Sequence, residues 1–149
     1  MNRRTLIALT IAAALSGSAS AQAPIVIKFS HVVATDTPKG KGAVRFKELA
    51  EKATNGRVKV ELYANSSLYK DKEEMEALQL GAVQMLAPSL AKFGPLGVKE
   101  FEVFDLPFLF PDKATLSRVI QGPAGKMMLD KLDAKGIKGL ASGTTASSR

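Results

Sequence analysis

Apolar positions recur along this chain with changing period, and each period names an element. Ile25-Val-Ile-Lys-Phe-Ser30 is a short run rich in β-branched residues and predicts a first strand. The next apolar positions, Ala43, Phe46, Leu49, Ala50 and Ala53, fall at helical spacing. Thr37 can cap that helix with Pro38 at its first position, and Asn55-Gly56 ends it. Arg57-Val-Lys-Val-Glu-Leu-Tyr63 then alternates strictly, which places Val58, Val60 and Leu62 on one face of a second strand.

Asp71-Lys-Glu-Glu74 has the spacing of a capping box, with Glu74 reaching back to the helix start. Met75, Leu78 and Gln79 carry that helix to Gly81. Ala82-Val-Gln-Met-Leu-Ala87 predicts a third strand, apolar on both faces as in a covered parallel sheet. After a looser stretch through Gly97 comes the aromatic segment Glu100–Phe110. Asp112 can cap a helix to about Gln121, Gly122-Pro123 interrupts it, and a second helix follows to about Lys135. Ile137–Ala141 predicts one more strand. Strands alternating with helices call for right-handed crossovers, hence an α/β fold with an open, mostly parallel sheet covered by helices on both faces.

One apolar run stands outside this scheme. Arg3 and Arg4 precede Leu6–Leu15, and Ser16-Gly-Ser-Ala-Ser-Ala21 follows with an A-x-A ending. A charged start, an apolar stretch too short to span a bilayer and a small-residue site are the parts of a cleavable signal peptide, residues 1–21. Cleavage is expected after Ala21, because the alternative ending at Ala23 would place Pro24 next to the cut. The exported part then begins at Gln22.

The 149-residue chain has no Cys and one His. Disulfides and a Cys/His zinc cluster are therefore excluded. Its formal charge of +7 includes the two leader arginines, so +5 remains on the exported part. The remaining cations are scattered along helices beside acids, without the runs or aromatic interleaving of a nucleic-acid surface. Lys39-Gly-Lys-Gly42 lacks phosphate-loop spacing, and no G-x-S-x-G elbow provides an activated serine. A small periplasmic enzyme is the weakest class on these grounds.

What remains is placement. In open α/β sheets ligands sit outside the carboxyl ends of the strands, where the topology changes direction. His31 follows the first strand and Pro88-Ser89-Leu90 the third, so their loops share one rim. The helix starting near Thr37 turns its positive end toward that rim, with Lys39 in its first turn. Each residue also has a plain reading: a surface histidine, a solvated lysine, a turn serine. Phe101, Phe104, Phe108 and Phe110 fit either a ligand-stacking wall or a core. Asp105, before Leu106-Pro107, suits the N–H groups of a turn.

Phe29-Ser-His-Val-Val-Ala34, Thr37-Pro-Lys-Gly40, Gly56-Arg-Val-Lys-Val60, Ala87-Pro-Ser-Leu90 and Phe104-Asp-Leu-Pro-Phe-Leu-Phe110 resemble, in this order, the solute-binding proteins of TRAP transporters, the DctP family. The resemblance runs from about Ile25 to Ala141. It implies the N-terminal lobe of a two-lobed periplasmic receptor that closes on an organic acid, dicarboxylate-like, and delivers it to TRAP membrane permease subunits without a cofactor. It also implies that His31, Lys39, Ser89 and Phe108 line the N-terminal-lobe side of the ligand cleft. Family members are longer, and the arginine that clamps the ligand carboxylate lies past the end of this chain; Arg149 lacks the motif around it. A truncated receptor with negligible dicarboxylate binding is expected, or else an exported remnant that binds nothing.

Residues 142–149 break the resemblance. Family members often continue Gly-Leu-Ala with Phe-Trp-Asp-Asn-Gly-Phe-Lys-Gln-Met and then Ser or Thr, codable as TTC TGG GAC AAC GGC TTC AAG CAG ATG A. Without the first T this reads TCT GGG ACA ACG GCT TCA AGC AGA TGA, which translates to Ser142–Arg149 and a stop. The tail is thus expected to be the same gene out of frame, and resequencing the locus tests this.

Overall fold

The computed structural model describes residues 23–143. The expected leader, 1–21, and most of the expected out-of-frame tail, 144–149, lie outside them. Three parallel strands, β1 (Ile25–Ser30), β2 (Val58–Tyr63) and β3 (Met85–Leu86), stand in the order β2-β1-β3. Four helices accompany them among the described residues: α1 (Pro38–Ala53), α2 (Glu74–Gln79), α3 (Lys113–Gln121) and α4 (Pro123–Asp130). Three 3₁₀ segments, Leu90–Phe93, Lys99–Asp105 and Lys131–Lys135, fill the connections.

The first βαβ unit forms where the sequence places it. Thr37 Oγ1 accepts from the Gly40 N–H at 3.1 Å and donates to the Ala34 carbonyl at 2.6 Å, so one hydroxyl both caps α1 and closes the loop before it. At the other end Thr54 Oγ1 donates to Ala50 O at 2.8 Å and accepts from the Val58 N–H at 3.1 Å. Glu51 Oε1 takes the Val60 N–H at 2.9 Å. These two acceptors, one in α1 and one just after it, occupy outward-facing donors of β2, which blunts that sheet edge against further pairing.

The register Ile25↔Val58, Ile27↔Val60, Phe29↔Leu62 puts the alternating apolar residues of β1 and β2 on one face. There Phe29, Ala43 and Val60 form a buried cluster, packed by Phe46 and Ala50 of α1. The opposite face differs from expectation: Val26, Lys28 and Lys59 are exposed on it, and it is covered only near Ser30 and Leu86. The cover is a second cluster of Met75, Phe93, Val98, Phe101, Met128, Leu132 and Ile137, against which Leu86 packs.

Other expectations are corrected. The third strand is two residues long because Gln84 substitutes its side chain for the ladder: Gln84 Oε1 accepts from Lys28 N at 3.0 Å while Gln84 N donates to Lys28 O at 3.1 Å. The capping box does not form. Glu73 precedes α2 without a side-chain cap bond, its Oε2 accepting instead from Lys70 N at 3.3 Å, and Glu74 points inward. The second late helix leaves α geometry after Asp130 and continues as 3₁₀. Ile137–Ala141 forms no strand, since no described strand lies beside it; Ile137 is nonetheless buried in the second cluster.

Asp112 caps α3 as expected, its Oδ1 accepting from Thr115 N at 2.6 Å, and Gly122 separates α3 from α4. The aromatic segment divides. Phe101 is core, tilted against Phe93 with centroids 5.0 Å apart, and Phe104 stacks on Phe110 at 5.8 Å. Phe108 is 99% exposed.

Candidate functional site

The order β2-β1-β3 makes the chain reverse direction across the sheet between β1 and β3, so the crevice at their carboxyl ends is the topological switch point. His31 follows β1 directly. Its backbone is pinned to the neighbouring strand, with His31 N donating to Tyr63 O at 2.9 Å and His31 O accepting from Ser66 N at 3.3 Å. Its ring is fully buried, edge-on to Phe29 at 5.9 Å, and among the described residues neither ring nitrogen has a hydrogen-bond partner. Burial lowers the His31 pKa, the Val33 backbone opposes this and the charge of Lys39 adds to it, which leaves the ring below its ordinary value and mainly neutral at pH 7.

Lys39 bridges the crevice. Its Nζ donates to the carbonyl of Ala87, just past β3, at 3.0 Å. The first turn of α1 is held close to the β1 loop because residue 40 is glycine: a Cβ there would lie 2.2 Å from Ala34 O and 2.6 Å from Thr35 Cα. Six cations of the described residues pair with acids; Lys39, like Lys28, Lys41 and Lys59, does not. Arg45–Glu48 at 3.1 Å, Lys47–Glu51 at 3.8 Å, Lys126–Asp130 at 2.7 Å and Lys138–Asp133 at 2.9 Å are ion pairs, as are Lys92–Asp71 and Lys131–Glu100. Among the described residues Lys39 has no such partner. Its ammonium has three donors, and the neutral Ala87 carbonyl takes one.

The structure thus brings His31 and Lys39 to one rim. Ser89, exposed and two residues beyond Ala87, begins the 3₁₀ segment Leu90–Phe93 with its hydroxyl unused as a cap. Phe108 is not brought to this group by any described contact. It projects into solvent with φ at +61°, a left-handed conformation rare for a bulky residue. Two surface grooves, one beside Tyr69, Ala77 and Leu80, the other beside Ile120, Leu129 and Leu140, include none of the four residues. The rim is a platform outside both grooves.

Glu74 was missed as a site residue by sequence reasoning. It is fully buried with both carboxyl oxygens unpartnered among the described residues, as are Ser30 Oγ and the His31 ring nitrogens. Burial first, then the charge of Asp71, pushes its pKa up to about 7 against the opposing pull of Lys92 and Lys39. Ala77 and Leu78 lie three and four positions on, so the inward helical stripe extended back to Glu74 was the available signal.

This platform can be compared with known proteins. A family model described as bacterial extracellular solute-binding protein, family 7, matches residues 29–148. The chain belongs to that family. Within family 7, it is 71% identical over 144 residues to the C4-dicarboxylate-binding periplasmic protein DctP of Rhodobacter capsulatus, covering 95% of this chain and 43% of the relative. The DctP protein of Shewanella loihica is 44% identical over 92% of this chain and 41% of its own length. A TRAP periplasmic solute-binding protein of Pseudomonas aeruginosa, solved with L-malate bound, superposes with a TM-score of 0.75 at 54% identity, over 79% of this chain and 41% of that one. One from Sulfurospirillum deleyianum with bound succinate gives 0.71 at 47% identity, over 76% and 36%. The chain therefore spans less than half the length of these family-7 relatives, which are solute-binding receptors named as periplasmic.

Proposed function

We propose that this chain forms the N-terminal-lobe face of a periplasmic receptor that captures a small organic acid of the C4-dicarboxylate class for TRAP membrane permease subunits. The observation that carries the reading is Lys39: an ammonium held across the switch-point crevice by a neutral carbonyl, with no carboxylate of the described chain to neutralise it. A ligand carboxylate can take its two remaining donors, reinforced by the positive end of α1. His31, Ser89 and Phe108 are proposed as further lining residues, His31 as a neutral buried wall and Ser89 as a free hydroxyl. Succinate and malate in the structural relatives support the ligand class, and receptor relatives support a binding role in place of catalysis. Export through cleavage after Ala21 would deliver the chain to the compartment those relatives are named for.

An exported chain that binds nothing is the second reading. It is favoured by the two grooves beside Tyr69 and beside Ile120, neither of which is lined by Lys39. Titration of the full chain with succinate, using succinamide as the uncharged control, separates the two. One charge-assisted contact on an open surface supports a dissociation constant of about 1 mM, near −4 kcal/mol. A saturable response to the diacid and none to the diamide is expected; equal responses, or none to either, remove the receptor reading.

A further inference from the structure

The turn between α1 and β2 is built on Asn55-Gly56. The Gly56 N–H donates to the Glu51 carbonyl at 2.9 Å and the Asn55 N–H to the Lys52 carbonyl at 3.1 Å, the pair of bonds with which a helix closes through a left-handed residue. Asn55 is that residue, with φ at +50°, and Gly56 follows at +77°. Both are exposed, and a Cβ on Gly56 would meet nothing within 4 Å. Thr54 secures the turn from the helix side, its Oγ1 donating to Ala50 O at 2.8 Å and accepting from the Val58 N–H at 3.1 Å. The same dipeptide is chemically vulnerable. An asparagine side chain is open to attack by the next backbone nitrogen, and glycine offers no Cβ to obstruct the approach and the widest choice of backbone conformations in which to make it.

We propose that Asn55 is a deamidation site held shut by the closed end of α1. In the reaction the Gly56 nitrogen gives up its proton and bonds to Asn55 Cγ, the Cγ–Nδ2 bond breaks, and ammonia leaves carrying that proton. Water then opens the cyclic imide at either carbonyl, which yields aspartate, or isoaspartate with the main chain rerouted through Cβ and Cγ. The imide nitrogen carries no hydrogen, so the first step destroys the Gly56–Glu51 bond. The folded turn resists that step, and modification proceeds from the fraction of molecules whose helix end has opened. Either product places a negative charge at the negative end of α1, which disfavours the helix. Isoaspartate also lengthens the main chain between two fixed points, the Thr54 hydroxyl on Ala50 O and the Arg57 carbonyl, which accepts from the Ile25 N–H at 2.8 Å. That stretch sets how β2 enters beside β1, so modification weakens the pairing of the first two strands.

The test incubates the full chain at neutral pH with and without urea and follows the peptide carrying Asn55 by mass spectrometry, with backbone fragmentation separating aspartate from isoaspartate. Conversion is expected in urea, and about tenfold more slowly in the folded chain, the factor that one firm hydrogen bond of the fold can impose. The Gly56 amide of the folded chain is expected to exchange its proton slowly. Thr54→Ala, which removes the hydroxyl joining Ala50 O and the Val58 N–H, is expected to speed the folded-state reaction several-fold. In urea Asn65 is expected to lag behind Asn55, because Ser66 carries the Cβ that Gly56 lacks. Equal rates with and without urea, or a Gly56 amide exchanging as fast as in an unfolded chain, overturn the protection from the wild-type protein alone, whether or not the variant folds. No conversion at Asn55 in urea, or conversion of Asn65 ahead of it, overturns the site itself.

Discussion

Lys39 Nζ lies 3.0 Å from the Ala87 carbonyl, a contact between residues 48 positions apart that ties the first turn of α1 to the end of β3. Two features of the sequence make it possible. Thr37 fixes where the helix begins, and Gly40 lets the β1 loop lie against that turn. The contact holds the charged group at the sheet's switch point while leaving its remaining donors available.

Gly40 and Gly42 occupy the same helix, and the same substitution should move stability in opposite directions. Gly40→Ala forces a Cβ onto the Ala34 carbonyl and is expected to cost about 1–3 kcal/mol, with loss of the Lys39 placement. At Gly42 a Cβ meets nothing within 4 Å, and Gly42→Ala is expected to stabilise by about 0.5–1 kcal/mol through helix propensity. Urea unfolding midpoints of the two variants check this; shifts of the same sign would mean that the loop does not pack on α1 as described.

Glu74 makes the fold itself pH-dependent. Its proton is held more tightly in the folded chain, with a value of about 7 against an ordinary 4.5. A raised folded value stabilises the fold fully below the unfolded value, and that contribution is lost as pH rises through 7. At about 1.4 kcal/mol per unit the loss is at most roughly 3 kcal/mol. Urea unfolding at pH 5 and pH 8 should show wild type weakening at the higher pH relative to Glu74→Gln. Comparing the two proteins cancels His31, whose depressed value weakens the fold on acidification instead. Parallel pH profiles would show that Glu74 ionises normally.

Phe108 combines near-complete exposure with a left-handed backbone, a conformation costing an L-residue roughly 1–2 kcal/mol. Asparagine tolerates that region and removes an apolar ring from solvent. Phe108→Asn is expected to stabilise the chain by about 0.5–1 kcal/mol and to reduce its self-association, measured by unfolding and light scattering. Because Phe108 is a proposed lining residue, its replacement should also weaken the succinate response; an unchanged response would take Phe108 out of the lining.

Local chemistry was readable where local chemistry decides the structure. The Thr37 and Asp112 caps, the break at Gly122-Pro123 and the alternation of Val58, Val60 and Leu62 each announce an element whose cause lies within a few residues. The missed features depend on distant partners. Gln84 shortens β3 only because Lys28 stands opposite it, and Glu74 turns inward because Met75 and Ala77 pack there, overriding the capping-box spacing. Ile137–Ala141 has strand composition, but a strand also needs a ladder to join. At the rim, the placement of His31 and Lys39 followed from sheet topology. The lack of a counter-charge at Lys39 could be seen only once the other ion pairs were in place.

The direct test of carboxylate capture at the switch point is succinate titration of the full chain followed by NMR at the Lys39 ammonium-bearing carbon, the His31 ring and the Ser89 amide, repeated in Lys39→Met. Saturable millimolar shifts centred on these residues, abolished in Lys39→Met while the rest of the spectrum is retained, are expected. Undiminished succinate binding in Lys39→Met, or shifts centred instead on the groove beside Ile120, Leu129 and Leu140, would contradict the assignment of the anion site to Lys39.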